Sequence, residues 1–274
     1  YVADTRDIKI YLDIYAEEFP EAQPAHCVVG SWDFPLPQAA IEIDTVAIVG
    51  AQSSVVPDAA LSACSGRVAG GIVADDHHYA TSLPIDTDGK LVRSDTAGQT
   101  IAALNNLAAM LDAAGFNIRD ICKLHVTIAD IRDYELVARE FSRFFANAFP
   151  SWTVVGAPLQ TPEFRIAIES IAIKGGGRPV STPLSPWKPG QPAPAMLAGD
   201  LLFLSGQGGP DEDGMTVEQQ ARAAWQRIHG LIEAAGFADD SLLRTNNVLT
   251  DWRDFQGFNA GYGPNVAEPY VPRA

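Results

Sequence analysis

Cysteine is scarce in this 274-residue chain. Three cysteines occur, an odd number at scattered positions: Cys27, Cys64 and Cys122. A secreted fold held by disulfide bonds would have an even number of cysteines at clustered spacings. We therefore predict free thiols in a reducing compartment, which indicates a cytoplasmic protein.

Positive charge is also scarce. The chain has 19 Lys and Arg against 34 Asp and Glu, which gives a net charge of −15. A surface of this sign repels phosphate groups, so neither nucleic acid nor an anionic membrane is expected as a partner. No apolar run approaches the ~18 residues that a membrane-spanning helix needs. These absences favour an ordinary globular chain.

A short pattern, Asp-x-Arg-Asp after two uncharged residues, occurs three times, at Val2–Asp7, Ile128–Asp133 and Leu249–Asp254. The arginines of neighbouring copies are 126 and 121 residues apart (132 − 6 and 253 − 132). Such a period lies in the usual size range of a domain. The sequence therefore predicts copies of one module.

The residues around the pattern predict the bounds of three repeats. Met110–Phe116 (MLDAAGF) precedes the second copy and matches Leu231–Phe237 (LIEAAGF) before the third. We expect the first repeat, residues 1–50, to hold the C-terminal half of a module and the second, 62–175, to be complete. The third, 187–274, would lack its last strands. Gly175–Pro192, rich in Gly, Pro and Ser, is the predicted linker.

The complete repeat predicts an α+β module with the order β-hairpin, helix, strand, helix and two strands. The turn residues Asp86–Gly89 separate predicted hairpin strands at Gly70–Thr81 and Leu91–Arg93. The last strand of the first repeat is predicted at Ala40–Gly50, and a hairpin of the third at Pro194–Gly206. Two helices would cover one face of a mostly antiparallel sheet.

The first helix of each module is predicted from apolar periodicity. In the second repeat, apolar residues from Ile101 to Ala114 recur at three- and four-residue spacing. Ser94 or Asp95 would cap the beginning of this helix, and Gly115 would end it in a left-handed conformation. The third repeat predicts the same helix at Thr216–Gly236.

Several motifs follow one another in a characteristic order. They are Phe203–Gln207 (FLSGQ), Ala234–Gly236 (AAG), Asp254-Phe255 followed by Asn259 and Tyr262, a strand entry ending in Arg273, and an E-I-D-x-V-A strand at Glu42. In this order they resemble the Rid (YjgF-like) family of small imine and enamine deaminases. The resemblance implies a chorismate-mutase-like β-β-α-β-α-β-β fold and trimers with a central barrel. Three tandem modules would form a pseudo-trimer with a central β-barrel and clefts between repeats.

The resemblance also implies a substrate site. In the family, the arginine of a Pro-Ala-Arg segment holds the substrate carboxylate, which the guanidinium fork fits. A glutamate on a following strand activates the attacking water. At the arginine the repeats have His26, Trp152 and Arg273; at the glutamate the first two have Glu42 and Ala167. The second repeat is therefore predicted to be scaffold.

One competent cleft is predicted around Arg273. Ser205, Gly206 and Asn259 would bind substrate beside it, and Tyr262 would be a catalytic group. Backbone N–H groups of the Ser-Gly turn suit an oxyanion. Alignment with the second repeat places Ala80-Thr81 at this turn.

The first repeat retains a different set of polar groups. Glu42 is its predicted catalytic carboxylate, with Tyr15 and His26 as substrate-binding groups. A structural histidine and an outward-facing glutamate are the alternative interpretations, because neighbouring strand residues face opposite sides of a sheet.

Neither a metal nor a cofactor is predicted. Asp75–His78 (DDHH) has the composition of a metal cluster. Adjacent residues of a strand face opposite sides, however, so the four side chains would diverge. The repeated arginines are predicted to form ion pairs at helix starts.

The leading hypothesis is hydrolytic release of ammonia from a small 2-imino or 2-enamino acid, or from an aminomuconate-like diacid. One alternative is a chorismatase-like hydrolase, and another is a non-catalytic carboxylate-binding or scaffold protein. The expected partner is a small carboxylate-bearing substrate. A second chain or a further segment is expected to complete the third repeat, and a homo-oligomer is left open.

Overall fold

A computed structural model of the protein describes residues 1–20, 24–31, 34, 38–48, 50–56, 70–208 and 214–266. The strands are β1 (Ser53–Val56), β2 (Gly71–Ala74), β3 (His77–Ser82), β4 (Ile121–Ile128), β5 (Ser151–Gly156), β6 (Ile166–Ile173), β7 (Arg178–Val180), β8 (Ala195–Ala198) and β9 (Leu201–Leu204). The helices are α1 (Ile8–Glu18), α2 (Thr96–Ala113), α3 (Tyr134–Phe145), α4 (Val217–Ala235) and α5 (Phe255–Tyr262). None of the helices within these ranges combines the length and apolar character that crossing a membrane requires.

The second repeat forms most of a mixed sheet covered by two helices, and the edge strand β1 (Ser53–Val56) precedes the predicted bound at residue 62. Its strand order is β1-β2-β3-β6-β4-β5, in which β4 and β5 are parallel and the other pairs antiparallel. Alternate residues of the strands pack with α2 and α3 in one core, whose fully buried members include Leu104, Leu111, Leu124, Phe141 and Ile168. This is the predicted α+β module.

A second, smaller sheet joins β7, which precedes the predicted bound at residue 187, to the first hairpin of the third repeat. It has the order β7-β8-β9, all antiparallel. Strand β7 lies inside the predicted linker Gly175–Pro192, which therefore contains a short strand that the sequence analysis did not predict. Backbone pairing with β8 explains the difference, because a neighbouring edge can order a segment rich in glycine and proline.

The hairpins turn at different residues from those predicted. Strands β2 and β3 are joined at Asp75-Asp76, and Asp75 has a φ of 51°. In the third repeat, Gly199 takes the same place with a φ of 58°. The turn Asp86–Gly89 instead closes one isolated bridge between Ile85 and Leu91. Glycine is the residue that usually adopts a positive φ, so a turn with aspartate at this position is hard to predict from the sequence.

The helix caps agree with the sequence predictions. The Asp95 side chain accepts a hydrogen bond from the Gly98 N–H, and Gly115 follows α2 with a φ of 72°. Thr216 caps α4, and Gly236 ends it in a left-handed conformation. Ile101, predicted on the apolar stripe, is 46% exposed. Leu104 and Leu111, also predicted on this stripe, are buried, so the prediction of the buried face was wrong only at Ile101, near the beginning of the helix.

The three Asp-x-Arg-Asp segments share one local structure. Each forms a short 3₁₀ turn before a helix, and its first aspartate accepts hydrogen bonds from the backbone and side chain of its arginine. These ion pairs are largely exposed. The hydrogen bonds from the arginines hold the pKa of Asp4, Asp130 and Asp251 at about 2. The prediction of ion pairs at helix starts is confirmed.

The first two repeats share a backbone register. Val2 forms a parallel bridge with Gly30 and an antiparallel bridge with Ile41. Ile128 makes the same two pairings with β5 and β6. Beyond Ile41, however, the described residues 42–48 form no strand, so the predicted strand Ala40–Gly50 was wrong over these residues. A strand requires a ladder partner, and in the described structure this segment is mostly exposed.

Candidate functional site

The Ser-Gly turn of the third repeat lies against the second repeat. The Ser205 hydroxyl donates to the Ala193 carbonyl over 2.6 Å and accepts from the Trp152 backbone N–H over 2.8 Å. The Gly206 N–H donates to the Trp152 carbonyl over 3.0 Å. A Cβ atom on Gly206 would lie 3.2 Å from the Thr153 methyl carbon, so glycine permits this close approach. The turn therefore closes a cleft between two repeats.

The turn bonds the backbone of Trp152, which stands where the resemblance predicts an arginine. Gly30 and Gly156 occupy the same place in the shared bridges, and His26 and Trp152 each lie four residues before them. Ile41 and Ile166 likewise correspond, so Glu42 and Ala167, which follow them directly, correspond too. The hairpin registers also correct the alignment of the turn. The turn between β2 and β3 is Asp75-Asp76, and the turn between β8 and β9 is Gly199-Asp200. When these two turns are aligned, Thr81-Ser82 corresponds to Ser205-Gly206. The predicted equivalence with Ala80-Thr81 was one residue out of register.

Lys123 connects the same two repeats. Its ammonium donates to the Thr153 hydroxyl over 2.7 Å and to the Leu204 carbonyl over 2.5 Å. No carboxylate pairs with it in the described structure. Burial lowers the pKa of Lys123 to about 7. The ammonium therefore fixes β9, and with it the Ser-Gly turn, beside β5.

Raising the pH from 7 to 9 is expected to stabilise the protein through Lys123, and Lys123→Met is expected to remove this contribution. The lysine titrates near 10.4 in an unfolded chain but near 7 in the fold. Between these values the unfolded state binds more protons, so the free energy of unfolding rises with pH. Urea unfolding at pH 7, 8 and 9 measures this slope. Lys188→Met, at an exposed lysine, is the matched control.

The cleft at this junction has a volume of about 240 Å³. Its polar lining comes from Ser185, Ser205, Gln207 and Arg227, and its apolar lining from Trp152, Leu184, Pro186, Pro192 and Pro194. The Ser185 hydroxyl donates to the Gln207 side-chain oxygen over 3.1 Å. Arg227, on α4, donates one hydrogen bond to the Gly208 carbonyl. The lining thus combines one cation with hydroxyl and amide groups.

The other predicted residues of the third repeat lie elsewhere. Asn259 and Tyr262 are on α5, which packs against α4. Tyr262 is 3% exposed, its ring contacts Trp225, and its hydroxyl lies 2.9 Å from the Thr245 hydroxyl. We correct the catalytic prediction for Tyr262, because these contacts give it a packing role. Arg273 lies outside the described residues.

The first repeat brings together two of its three predicted residues. The rings of Tyr15 and His26 are 4.2 Å apart, and the Tyr15 hydroxyl donates to the Pro24 carbonyl over 3.0 Å. Burial lowers the pKa of His26 to about 4, so the imidazole is neutral at pH 7. The Glu42 backbone N–H donates to the Tyr1 carbonyl over 3.0 Å. The arrangement matches that of Trp152 on Phe141 in the second repeat.

A row of polar side chains on the sheet was missed by the motif comparison. Lys123 and His125 alternate with core residues on β4, and Glu169 on β6 is the cross-strand partner of His125. All three lie on the face away from α2 and α3, because their neighbours Leu124 and Ile168 belong to the helix-side core. Burial raises the pKa of Glu169 to about 7 and lowers that of His125 to about 4. Polar residues at every second position were the available signal.

Within Asp75–His78, the two histidines begin β3 and their side chains lie on opposite faces of the sheet, as predicted for adjacent residues of a strand. His78 is fully buried and stacks on Phe116, with ring centroids 5.4 Å apart, whereas His77 stacks on Tyr79 on the other face. Within the described part of the chain, no three His, Cys, Asp or Glu side chains are grouped as a metal site.

Comparisons with known proteins identify relatives of the repeats. A family model described as Endoribonuclease L-PSP matches residues 64–174 and 188–274. A RutC family protein of Pyrococcus horikoshii is 31% identical over 96 residues, which cover 35% of this chain and 76% of the relative. The 2-iminobutanoate/2-iminopropanoate deaminase of Salmonella typhimurium is 30% identical over 95 residues, covering 34% and 74%. A crystal structure of a Rid family protein from Yersinia pestis, 27% identical, covers 44% of this chain and 99% of its own, with a TM-score of 0.42.

Proposed function

We propose that this chain, which belongs to the Rid (YjgF-like) family, is a hydrolytic deaminase of a small imino or enamino carboxylic acid. The family model matches more than half of the chain, and curated relatives are named imine deaminases. Hydrolysis of a C=N bond requires a held substrate and an activated water. An arginine in a cleft between repeats would hold the substrate carboxylate.

The observation that carries this proposal is the pairing of the third repeat's Ser-Gly turn with the second repeat's Trp152 strand. It supports clefts between repeats, each built from the turn of one repeat and the arginine-position strand of the repeat before it. The second repeat has Trp152 and Ala167 at the arginine and glutamate positions, so catalysis is assigned away from it. We propose Arg273 as the carboxylate-binding group of the third repeat, and Glu42, in the first repeat, as a proton-transfer group of a separate cleft.

We further propose that the repeats, at the bounds 1–50, 62–175 and 187–274, surround a central barrel as a pseudo-trimer. Contacts between each pair of repeats support this arrangement. The Gly30 N–H donates to Pro158 over 2.8 Å, Ser205 bonds Trp152, and Arg244 forms an ion pair with Asp44. The part-buried polar row of Lys123, His125 and Glu169 on the helix-free face also supports it.

The test is release of ammonia from a 2-imino acid generated in situ by an amino acid oxidase. Acceleration over the uncatalysed hydrolysis supports the proposal. Chorismate is supplied in a parallel reaction, in which release of pyruvate would identify a chorismatase-like hydrolase instead. Binding of a carboxylate without any turnover would leave a non-catalytic carboxylate-binding protein, a candidate that Trp152 and Ala167 favour for the second repeat.

A further inference from the structure

Helix α1 of the first repeat exposes large apolar side chains. Ile10 is 60% exposed, and Ile14, one turn later, is 54% exposed. Two more exposed side chains follow Ala40, Ile41 at 43% and Ile43 at 63%. Soluble proteins rarely expose large contiguous apolar patches, and such patches usually mark an interaction site.

The corresponding strand residues of the second repeat are buried. The shared bridges align Ile41 and Ile43 with Ile166 and Ile168 of β6, each 0% exposed. Helix α2 packs against β6 and belongs to the same core. In the first repeat, therefore, Ile41 and Ile43 border the position that α2 fills in the second.

The two isoleucines of α1 border the same position. The Asp-x-Arg-Asp pattern aligns Ile14 with Glu140 of α3. Asp133 accepts a hydrogen bond of 2.6 Å from the Thr96 hydroxyl at the beginning of α2, which identifies the side of α3 that faces α2. Glu140 lies seven residues later and hence on that side, where it is buried. The side chains that border this position form one apolar surface, the α1 groove, which consists of Ile10, Ile14, Ile41 and Ile43.

Acidic residues lie beside the groove. Glu17 is seven residues after Ile10, and Glu18 is four residues after Ile14, so both belong to the same side of α1. Both are exposed, and no ion pair of the described residues includes either of them. The second repeat has Arg143 at the position of Glu17. The border of the groove therefore favours a basic partner.

We propose that the α1 groove binds a basic amphipathic helix of a partner protein. Such a helix places apolar residues at three- and four-residue spacing into a groove. In the second repeat α2 fills the corresponding position with Leu104, Leu107 and Leu111. Lysines or arginines beside the apolar stripe would pair with Glu17 and Glu18. A second copy of this chain is disfavoured, because its α1 would place the same carboxylates opposite those of the first.

Fluorescence anisotropy with two labelled peptides tests the inference on the full chain. Both peptides have the sequence of residues 95–114, which includes α2, and both keep the leucines of its buried stripe. One has lysine and the other glutamate at Ala97, Ile101 and Ala108, which lie beside that stripe. The lysine peptide is expected to bind more tightly by about tenfold or more, and added salt should reduce the difference.

Ile14→Gln is expected to weaken binding of the lysine peptide by about tenfold or more, because an aliphatic side chain no longer becomes buried in the complex. Ile14 is exposed in the free chain, so the variant should remain folded, as measured by circular dichroism. Leu243→Gln, at a leucine that is 72% exposed outside the groove, is the matched control and should retain wild-type affinity. Glu17→Lys combined with Glu18→Lys should reverse the preference, so that the glutamate peptide binds more tightly.

Equal affinity for the two peptides would overturn the basic character of the partner. Unchanged affinity in Ile14→Gln would place binding outside the α1 groove and overturn the inference. Sedimentation velocity measures self-association of the chain. A dimer that dissociates on dilution and is lost in Ile14→Gln would make a second copy the occupant, which would also overturn the proposed partner.

The inference does not depend on deaminase activity, because none of the four isoleucines is a proposed substrate-binding or proton-transfer group. Ile14→Gln should therefore release ammonia at the wild-type rate. If the wild type releases no ammonia while the lysine peptide binds through Ile14, the proposed function fails and this inference stands.

Discussion

Acidification from pH 6.5 to pH 4 is expected to destabilise the protein by several kcal/mol. Burial lowers the pKa of His26, His78 and His125 to about 4, with nearby Lys123 adding to the effect on His125. In an unfolded chain these rings titrate near 6.5. Between the two values the unfolded state binds more protons, so stability falls as the pH falls. Each pKa unit corresponds to about 1.4 kcal/mol, against a typical net stability of roughly 5–15 kcal/mol.

Glu169 acts in the opposite direction over part of this range. Its pKa is raised by burial from 4.5 to about 7, so its contribution to stability is fully present below pH 4.5 and is lost as the pH rises through 7. One carboxyl group offsets only part of the effect of three imidazoles. The net slope should therefore remain positive from pH 4 to 6.5, as measured by urea unfolding at half-unit intervals.

His78→Leu is the sharpest test of this explanation. His78 is fully buried, and neither ring nitrogen has a hydrogen-bond partner in the described structure. Leucine removes both the unsatisfied nitrogens and the titration, so we expect about 1–3 kcal/mol of stabilisation at pH 7.5 and a larger gain at pH 5. His77→Leu, at a part-buried neighbour facing the other side of the strand, is the control. An unchanged acid slope in His78→Leu would exclude this histidine as a cause.

Local patterns made much of the fold predictable. The alternation of a strand places His77 and His78 on opposite faces, and the structure agrees. Cap residues such as Asp95 and Gly115 identify the ends of α2 because they satisfy backbone groups that the helix itself leaves open. These signals lie within a few residues of the feature that they predict.

The cleft was less predictable because it depends on contacts between repeats. Ser205 was grouped with Arg273 on family order alone, whereas in the structure its hydroxyl bonds the Trp152 backbone. Arg227 belongs to no motif, and it enters the cleft only because α4 packs over β9. A β-propensity pattern similarly predicted Ala40–Gly50 as a strand, although pairing requires a partner that propensity cannot supply.

Arg273→Ala is expected to lower kcat/KM for an imino acid by about 100-fold or more. Removing one partner of a buried, hydrogen-bonded charge pair typically costs about 2–5 kcal/mol, and each 1.4 kcal/mol corresponds to tenfold. The proposed arginine both neutralises and orients the substrate carboxylate, so both KM and kcat should change. Ammonia release from imino acid generated in situ gives both constants.

Arg253→Ala is the matched control for this prediction, since Arg253 belongs to the same repeat and its side chain is 90% exposed and pairs with Asp251. It should retain wild-type kcat/KM. Arg273→Lys should recover part of the activity, because an ammonium keeps the charge but loses the bidentate fork. Wild-type kcat/KM in Arg273→Ala would show that Arg273 does not hold the substrate carboxylate.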